Sequence, residues 1–177
     1  MTNHTPRHHR RLLLTAGVAG GLAMFTGNAT ASAQPRPGID GPPHGRPAGE
    51  RRNLAAVTRA FERQNAGGDI YEILHDDVEW TIVNGRTYPS KAEFLAEGAA
   101  PIMDRLATTL MMRIRDMWAD GDTVIVRFDG DATAIDGVEY HNEYCWIWQL
   151  RRERVVRCYA FLDLIAVREL IDRIELD

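Results

Sequence analysis

The sequence predicts a single α+β domain over residues 50–177, with helices first and a curved antiparallel sheet after them. Three observations carry this. Apolar residues recur at helical spacing after Glu50, at Leu54, Val57 and Phe61. Four strand-like segments then follow one another from about 110 to 162. Asp120-Gly121 and Asp136-Gly137 stand between them, where hairpins turn. Helices followed by a meander of strands is an α+β plan, and a sheet curled around helices leaves a cavity at its open end. The expected shape is a cone around a pocket.

Each element has a local reason. Gly67-Gly68 ends the first helix, and Asp69 caps a short one through Leu74. Val78 to Val83 reads as a strand. Ser90 and Glu93 form a capping box after Pro89, and Pro101 bends or breaks the helix they start. Strands are expected at about 110–119, 123–134, 139–150 and 154–162, with Arg152-Glu153 at the last tight turn. A final amphipathic helix runs from Leu164 and places Val167, Leu170, Ile171 and Ile174 on one face.

The chain ahead of the domain has a different character. Arginines up to Arg11, an apolar run from Leu12 to Phe25 and an Ala31-Ser32-Ala33 cleavage site predict a signal peptide over 1–33. Arg10-Arg11-Leu12-Leu13-Leu14 is similar to a twin-arginine signal; an ordinary secretory signal or an uncleaved anchor is the alternative. Export across a bacterial cytoplasmic membrane, to the periplasm or beyond, is therefore expected. Membrane contact is expected only through this segment, if it stays uncleaved. Residues 34–49 hold five prolines and four glycines and read as a disordered linker.

Composition excludes several function classes. Residues 1–33 hold three arginines and no acid, which leaves 18 basic against 25 acidic residues in the rest. That balance argues against a nucleic-acid partner, which needs a clustered basic face. The domain has two histidines and no Cys/His cluster, so no metal site is expected. No glycine-rich phosphate loop is present, and no cofactor is expected.

Two-residue turns at Asp136-Gly137 and Arg152-Glu153 set an expected register. Ile135 then pairs with Val138 and Arg151 with Arg154. One face carries Arg127, Asp129, Asp131, Asn142, Tyr144, Trp146, Tyr159, Phe161 and Asp163. Aromatics mixed with a few aimed polar groups suit a small-molecule site. Cys145 and Cys158 fall together on the other face, diagonally placed, where a disulfide would be strained.

Several motifs carry a resemblance. Gly68-Asp69, His75-Asp76-Asp77-Val78-Glu79-Trp80, the run from Asp136 to Tyr144 and Ala160-Phe161-Leu162-Asp163 resemble the SnoaL-like families of the NTF2-like (cystatin-like) superfamily. The likeness covers nearly all of residues 50–175. It implies the NTF2-like cone and leaves the reaction open, because that superfamily holds ketosteroid isomerases, polyketide cyclases, limonene-epoxide hydrolases and non-catalytic members. The isomerases' Tyr, Asp base and protonated Asp align with Phe61, Ile82 and Trp146, which excludes that mechanism. Limonene-epoxide hydrolases match better, at Arg127-Phe128-Asp129, Gly137, Tyr140, Gln149-Leu150 and Asp163. The resemblance implies Asp129 as acid, Asp163 as base and Arg127 as the bridge between them. The Tyr and Asn that hold the water in that family are Trp80 and Ile82 here. SnoaL-type cyclases also keep an acid near the Asp163 position.

Two readings follow. The first is a cofactor-independent enzyme with catalytic Asp129, Arg127 and Asp163, and a pocket of Trp80, Ile82, Asn142, Tyr144, Trp146 and Phe161 for a small hydrophobic molecule. The second is a non-catalytic binding or dimerisation module of the same fold, in which Asp163 caps a helix and Arg127 pairs with Asp129 or stacks on Trp146. An open pocket lined by both carboxylates favours the first; a pocket filled by Trp80 and Trp146 favours the second. A homodimer is expected through the outer sheet face carrying Glu143, Cys145, Ile147 and Gln149.

Overall fold

The structure, a computed structural model, describes residues 45–176. The expected signal over 1–33 and most of the expected linker lie outside the described residues. Helix α1 spans Ala48–Asn65 and so begins two residues before the expected domain boundary. It buries Val57, Ala60 and Phe61 against the sheet. It stops where Gly67 takes φ 85° and the Gly68 N–H turns back onto Arg63 O at 2.9 Å. The Asp69 carboxylate then accepts the Tyr71 N–H at 2.7 Å and starts a single 3-10 turn over Ile70–Ile73.

Strand β1 (Leu74–Ile82) and the short β2 (Thr87–Tyr88) form one edge of the sheet. Helix α2 (Lys91–Phe94) is capped by the Ser90 hydroxyl, which accepts the Glu93 N–H at 3.2 Å. Only half of the expected capping box forms, because the Glu93 side chain pairs with Arg86 instead. A π turn over Leu95–Ala99 joins α2 to α3 (Ala100–Met103). The irregularity has a chemical cause. Pro101 has no N–H to give the Glu97 carbonyl. The Tyr88 hydroxyl donates to that carbonyl at 3.3 Å.

Strands β3 (Met111–Asp120), β4 (Thr123–Thr133), β5 (Glu139–Arg151) and β6 (Arg154–Leu162) complete six strands in the order β2-β1-β6-β5-β4-β3. All neighbours are antiparallel except β1 and β6, so the sheet is mixed rather than wholly antiparallel. Helix α4 (Leu164–Arg173) closes the fold, with Leu170 buried and Ile174 buried just beyond it.

The last four strands match expectation to within one residue, whereas β1 begins four residues before the expected Val78 and β2 was not expected; two registers also differ. At Asp136-Gly137 the turn holds three residues, not two: Ala134 N–H donates to Val138 O, and Gly137 takes φ 83°. Phe128, not Asp129, therefore lies opposite Tyr144. The Arg152-Glu153 turn has its expected two residues and pairs Arg151 with Arg154. A bulge follows at once, and the register shifts between Gln149 and Leu150, so Trp146 faces Ala160 rather than Tyr159. A one-residue slip turns every side chain of a strand to the other face. Strands β4 and β6 are both reversed relative to the expected face, whereas β5 lies as expected.

Candidate functional site

The inner sheet face is aromatic. Tyr144, Trp146 and Trp148 alternate along β5, and Trp80 comes from β1. Phe94 enters from the end of α2 and lies flat on Trp80, with ring centroids 4.1 Å apart and planes 16° apart. Trp146 meets Trp80 edge-on at 5.1 Å and stacks on Trp148 at 5.3 Å. Gly98 makes the Phe94 position available: a Cβ there would lie 2.8 Å from the Phe94 ring and 3.0 Å from that of Tyr88. The packing leaves a central cavity of about 30 Å³, room for little more than a water molecule or two. Trp80, Ile82, Phe94, Tyr144, Trp146 and Leu162 are among its walls.

Four of the expected ligand-binding residues, Trp80, Ile82, Tyr144 and Trp146, thus meet at one cavity. Asn142 is buried beside it in a supporting role. Its side-chain oxygen accepts the Asp163 N–H at 2.9 Å, which fixes the amide's orientation because a backbone N–H can only donate. Its nitrogen donates to the Asp163 carbonyl at 2.9 Å and to the Tyr140 hydroxyl at 3.1 Å. Tyr140 and Tyr144 share a further hydrogen bond at 3.0 Å. Burial raises the pKa of both phenols, so both stay neutral donors. The pair has two hydroxyl hydrogens and one shared bond. One hydrogen therefore has no acceptor among the described residues, and Tyr144 borders the cavity.

The expected catalytic trio is not assembled at the cavity. The longer turn puts Arg127 and Asp129 on the outer sheet face. Arg127 is exposed there and pairs with Asp116 at 3.3 Å and Glu143 at 3.6 Å. Asp129 is covered by two arginines: Arg115 Nε donates to its carboxylate at 2.6 Å and Arg113 Nη2 at 3.1 Å. The Arg115 hydrogen bond, helped by Arg113, holds the Asp129 carboxyl below its ordinary pKa against the opposing effect of desolvation. That favours a permanent anion over a proton donor. Asp163 is the N-cap of α4, and its carboxylate accepts the Ile165 N–H at 2.8 Å and the Ala166 N–H at 3.4 Å. The bulge on β6 likewise sends Phe161 outward, 44% exposed. It also separates the cysteines: Cys158 is buried inside and Cys145 lies outside, both as free thiols.

Phe94, Tyr71, Met103 and Leu162 were not anticipated as cavity residues. Phe94 closes a four-residue helix too short to show periodicity, and the signal for Leu162 was hidden by the bulge. Among the described residues, no group of three His, Cys, Asp or Glu side chains is placed to hold a metal ion.

The family model of the SnoaL-like domain matches residues 54–158. The chain belongs to the SnoaL-like family. No curated protein sequence matches it. Solved structures similar to this SnoaL-like domain include a candidate SnoaL-like polyketide cyclase from Jannaschia sp. CCS1, with TM-score 0.61 and 17% identity over 74% of this chain and 99% of that one. TerC, solved with polyporic acid, gives TM-score 0.56 and 22% identity over 68% and 98%. An LEH-like epoxide hydrolase from M. tuberculosis gives 0.54 and 16% over 70% and 92%. These likenesses establish the NTF2-like fold of the SnoaL-like domain; at such identities they leave its chemistry to its own residues.

Proposed function

We propose that this SnoaL-like domain is a non-catalytic binding module for a small apolar molecule, exported by its N-terminal signal and assembled as a homodimer. One observation carries the reading: the cavity is walled by aromatic and aliphatic side chains, while Asp129 and Asp163 are engaged elsewhere. A positioned acid or base must reach the reacting atom directly or through one water. Neither carboxylate is among the cavity's lining residues. The spare hydroxyl hydrogen of the Tyr140–Tyr144 pair offers a single anchor for an oxygen on the ligand. A ligand enters by displacing side chains, with Phe94 the first to move, because it sits on a short helix beside the π turn.

The dimer reading rests on the outer sheet face. Trp118, Tyr159 and Phe161 are exposed there, with Ile125 and Ile147 half-buried between them. An exposed apolar patch of this kind supports a docking surface. Light scattering at high micromolar concentration should give twice the chain mass, and Phe161→Glu should return the monomer. A persistent monomer in the unaltered protein refutes the dimer.

The purified domain should be screened against epoxides, polyketide-like aromatics and lipids, for binding and for turnover. Saturable binding without turnover is the expected result. Turnover lost on Asp129→Asn or Asp163→Asn would restore the catalytic reading.

A further inference from the structure

The strongest concentration of cations lies away from the aromatic cavity, between α1 and the β5–β6 hairpin. Arg52, Ala56, Arg59 and Arg63 follow one another at three- and four-residue steps along α1, so they share a stripe. Ala56 and Ala60 are small enough to let the hairpin come near. The space between them is a groove of about 330 Å³, with Ala56, Ala60 and Ile73 as its apolar part and Arg59, Arg63, Arg152 and Arg154 around it. An adjoining hollow adds Arg51 and Arg52 and shares Arg59 and Glu153 with the first. Together the two hold six arginines and two glutamates, in a domain whose overall balance is acidic.

Ion pairing within the fold accounts for only part of this. Arg59 meets Glu153 at 3.4 Å and Arg63 meets Glu72 at 3.1 Å. Arg154 donates to the Glu72 backbone carbonyl. Among the described residues, Arg51, Arg52 and Arg152 have no carboxylate partner within salt-bridge distance. Exposed pairs of this kind contribute little to stability, so the cluster is poorly explained as a staple between hairpin and helix. The turn itself points the same way. Arg152 and Glu153 take φ of 52° and 62°, a conformation for which Asn-Gly is the favoured pair. Two long charged side chains occupy a strained turn and project beside the groove.

Every cation in the groove is arginine. Its planar fork donates two parallel hydrogen bonds to a tetrahedral oxyanion, which a lysine ammonium does not. We propose that this groove is a binding site for a phosphate group, with Arg63 and Arg152 as its principal donors, Arg59 and Arg154 beside them, and Glu72 and Glu153 as the carboxylates that the phosphate displaces from Arg63 and Arg59. The phosphate is either free, as inorganic phosphate or a small phosphomonoester, or the headgroup of an anionic lipid.

The full chain should be titrated with inorganic phosphate at constant ionic strength set by chloride, and read by calorimetry. In parallel it should be sedimented with phosphatidylcholine vesicles containing or lacking phosphatidic acid. Saturable one-to-one phosphate binding with Kd below about 1 mM is expected. Arg63→Gln and Arg152→Gln should each weaken it roughly 10-fold, Glu153→Gln should tighten it, and Arg168→Gln on α4 should leave it unchanged. Binding to phosphatidic acid vesicles alone, lost in the same two variants, assigns the site to a lipid headgroup. Free-phosphate binding without vesicle binding assigns it to a soluble ligand. The proposal is overturned if neither probe binds, or if binding is the same in Arg63→Gln and Arg152→Gln as in the unaltered protein.

Discussion

Asn142 and Asp163 exchange two hydrogen bonds, the Asn142 amide donating to the Asp163 carbonyl and accepting the Asp163 N–H, both at 2.9 Å. This clasp joins the middle of the sheet directly to the N-cap of the closing helix. Asn142→Ala leaves the Asp163 backbone N–H and carbonyl, both part-buried, without their partner and takes one of its two hydrogen bonds from the Tyr140 hydroxyl. Loss of about 2 kcal/mol of stability is expected in urea melts. Asn142→Asp should also destabilise, because a carboxylate accepts the N–H but donates nothing to the carbonyl.

Asp163 itself is predicted to behave as a cap. Asp163→Asn should leave stability and ligand binding near their original values, since Asn caps as well as Asp. Asp163→Ala should lose about 1 kcal/mol of stability with binding intact. An activity abolished by Asp163→Asn in a stably folded protein would contradict the assignment.

Acid sensitivity follows from Asp129. The Arg115 hydrogen bond, with Arg113 beside it, lowers its pKa in the folded protein below the unfolded value. A group depressed on folding stabilises the fold at pH above its unfolded pKa. That contribution fades as pH falls from the ordinary carboxylate range through the folded pKa. Stability should therefore decline below about pH 4. The decline should be shallower in Asp129→Asn, which has no carboxyl to protonate there, as thermal melts at stepped pH will show.

Phe94→Ala should enlarge the central cavity by most of a ring. A loss of about 3–5 kcal/mol is expected. A single-ring compound such as benzene should recover part of it and raise the melting temperature of the variant more than that of the unaltered protein, because an apolar cavity stays dry and takes an apolar guest. No difference between the two proteins would count against Phe94 as the side chain that fills the site.

The β5–β6 turn offers a stabilising change. Replacing Arg152 by Asn and Glu153 by Gly matches the positive φ angles, and a gain of about 1 kcal/mol is expected. That corresponds to a rise of roughly 3–5 °C in Tm.

Elements were readable from the sequence because their signals are local: Gly67-Gly68 after α1, Ser90 ahead of α2, alternation along β5. Strand β5 was also placed on its correct face, since Tyr144, Trp146 and Trp148 recur at every second position with Glu143 and Gln149 on the opposite alternation. Strand β6 has no such alternation. Val155, Val156, Cys158, Tyr159, Ala160, Phe161 and Leu162 are nearly all apolar, so nothing local betrays an extra residue at its start. At Asp136-Gly137 the dipeptide suits a two-residue turn as well as the three-residue turn that forms, and the difference is one position. The candidate carboxylates went to the wrong face through these two slips, not through a misread element. Val124, Val126 and Phe128, alternating with Ile125, Arg127 and Asp129, were the available sign that β4 turns its apolar set inward.

The tryptophans divide into an inner three and an outer one. Trp80, Trp146 and Trp148 lie within 6.5 Å of one another by ring centroid, whereas Trp118 is half exposed on the far face of the sheet. Close, fixed indoles couple their transitions, so the inner group should give a strong near-ultraviolet circular dichroism signal that vanishes when packing loosens. Trp118 should emit at longer wavelength and be quenched by iodide, which the inner three escape. One chain thus carries two optical reporters, one inside the aromatic cluster and one on the outer sheet face. Trp118→Phe would silence the second without touching the first.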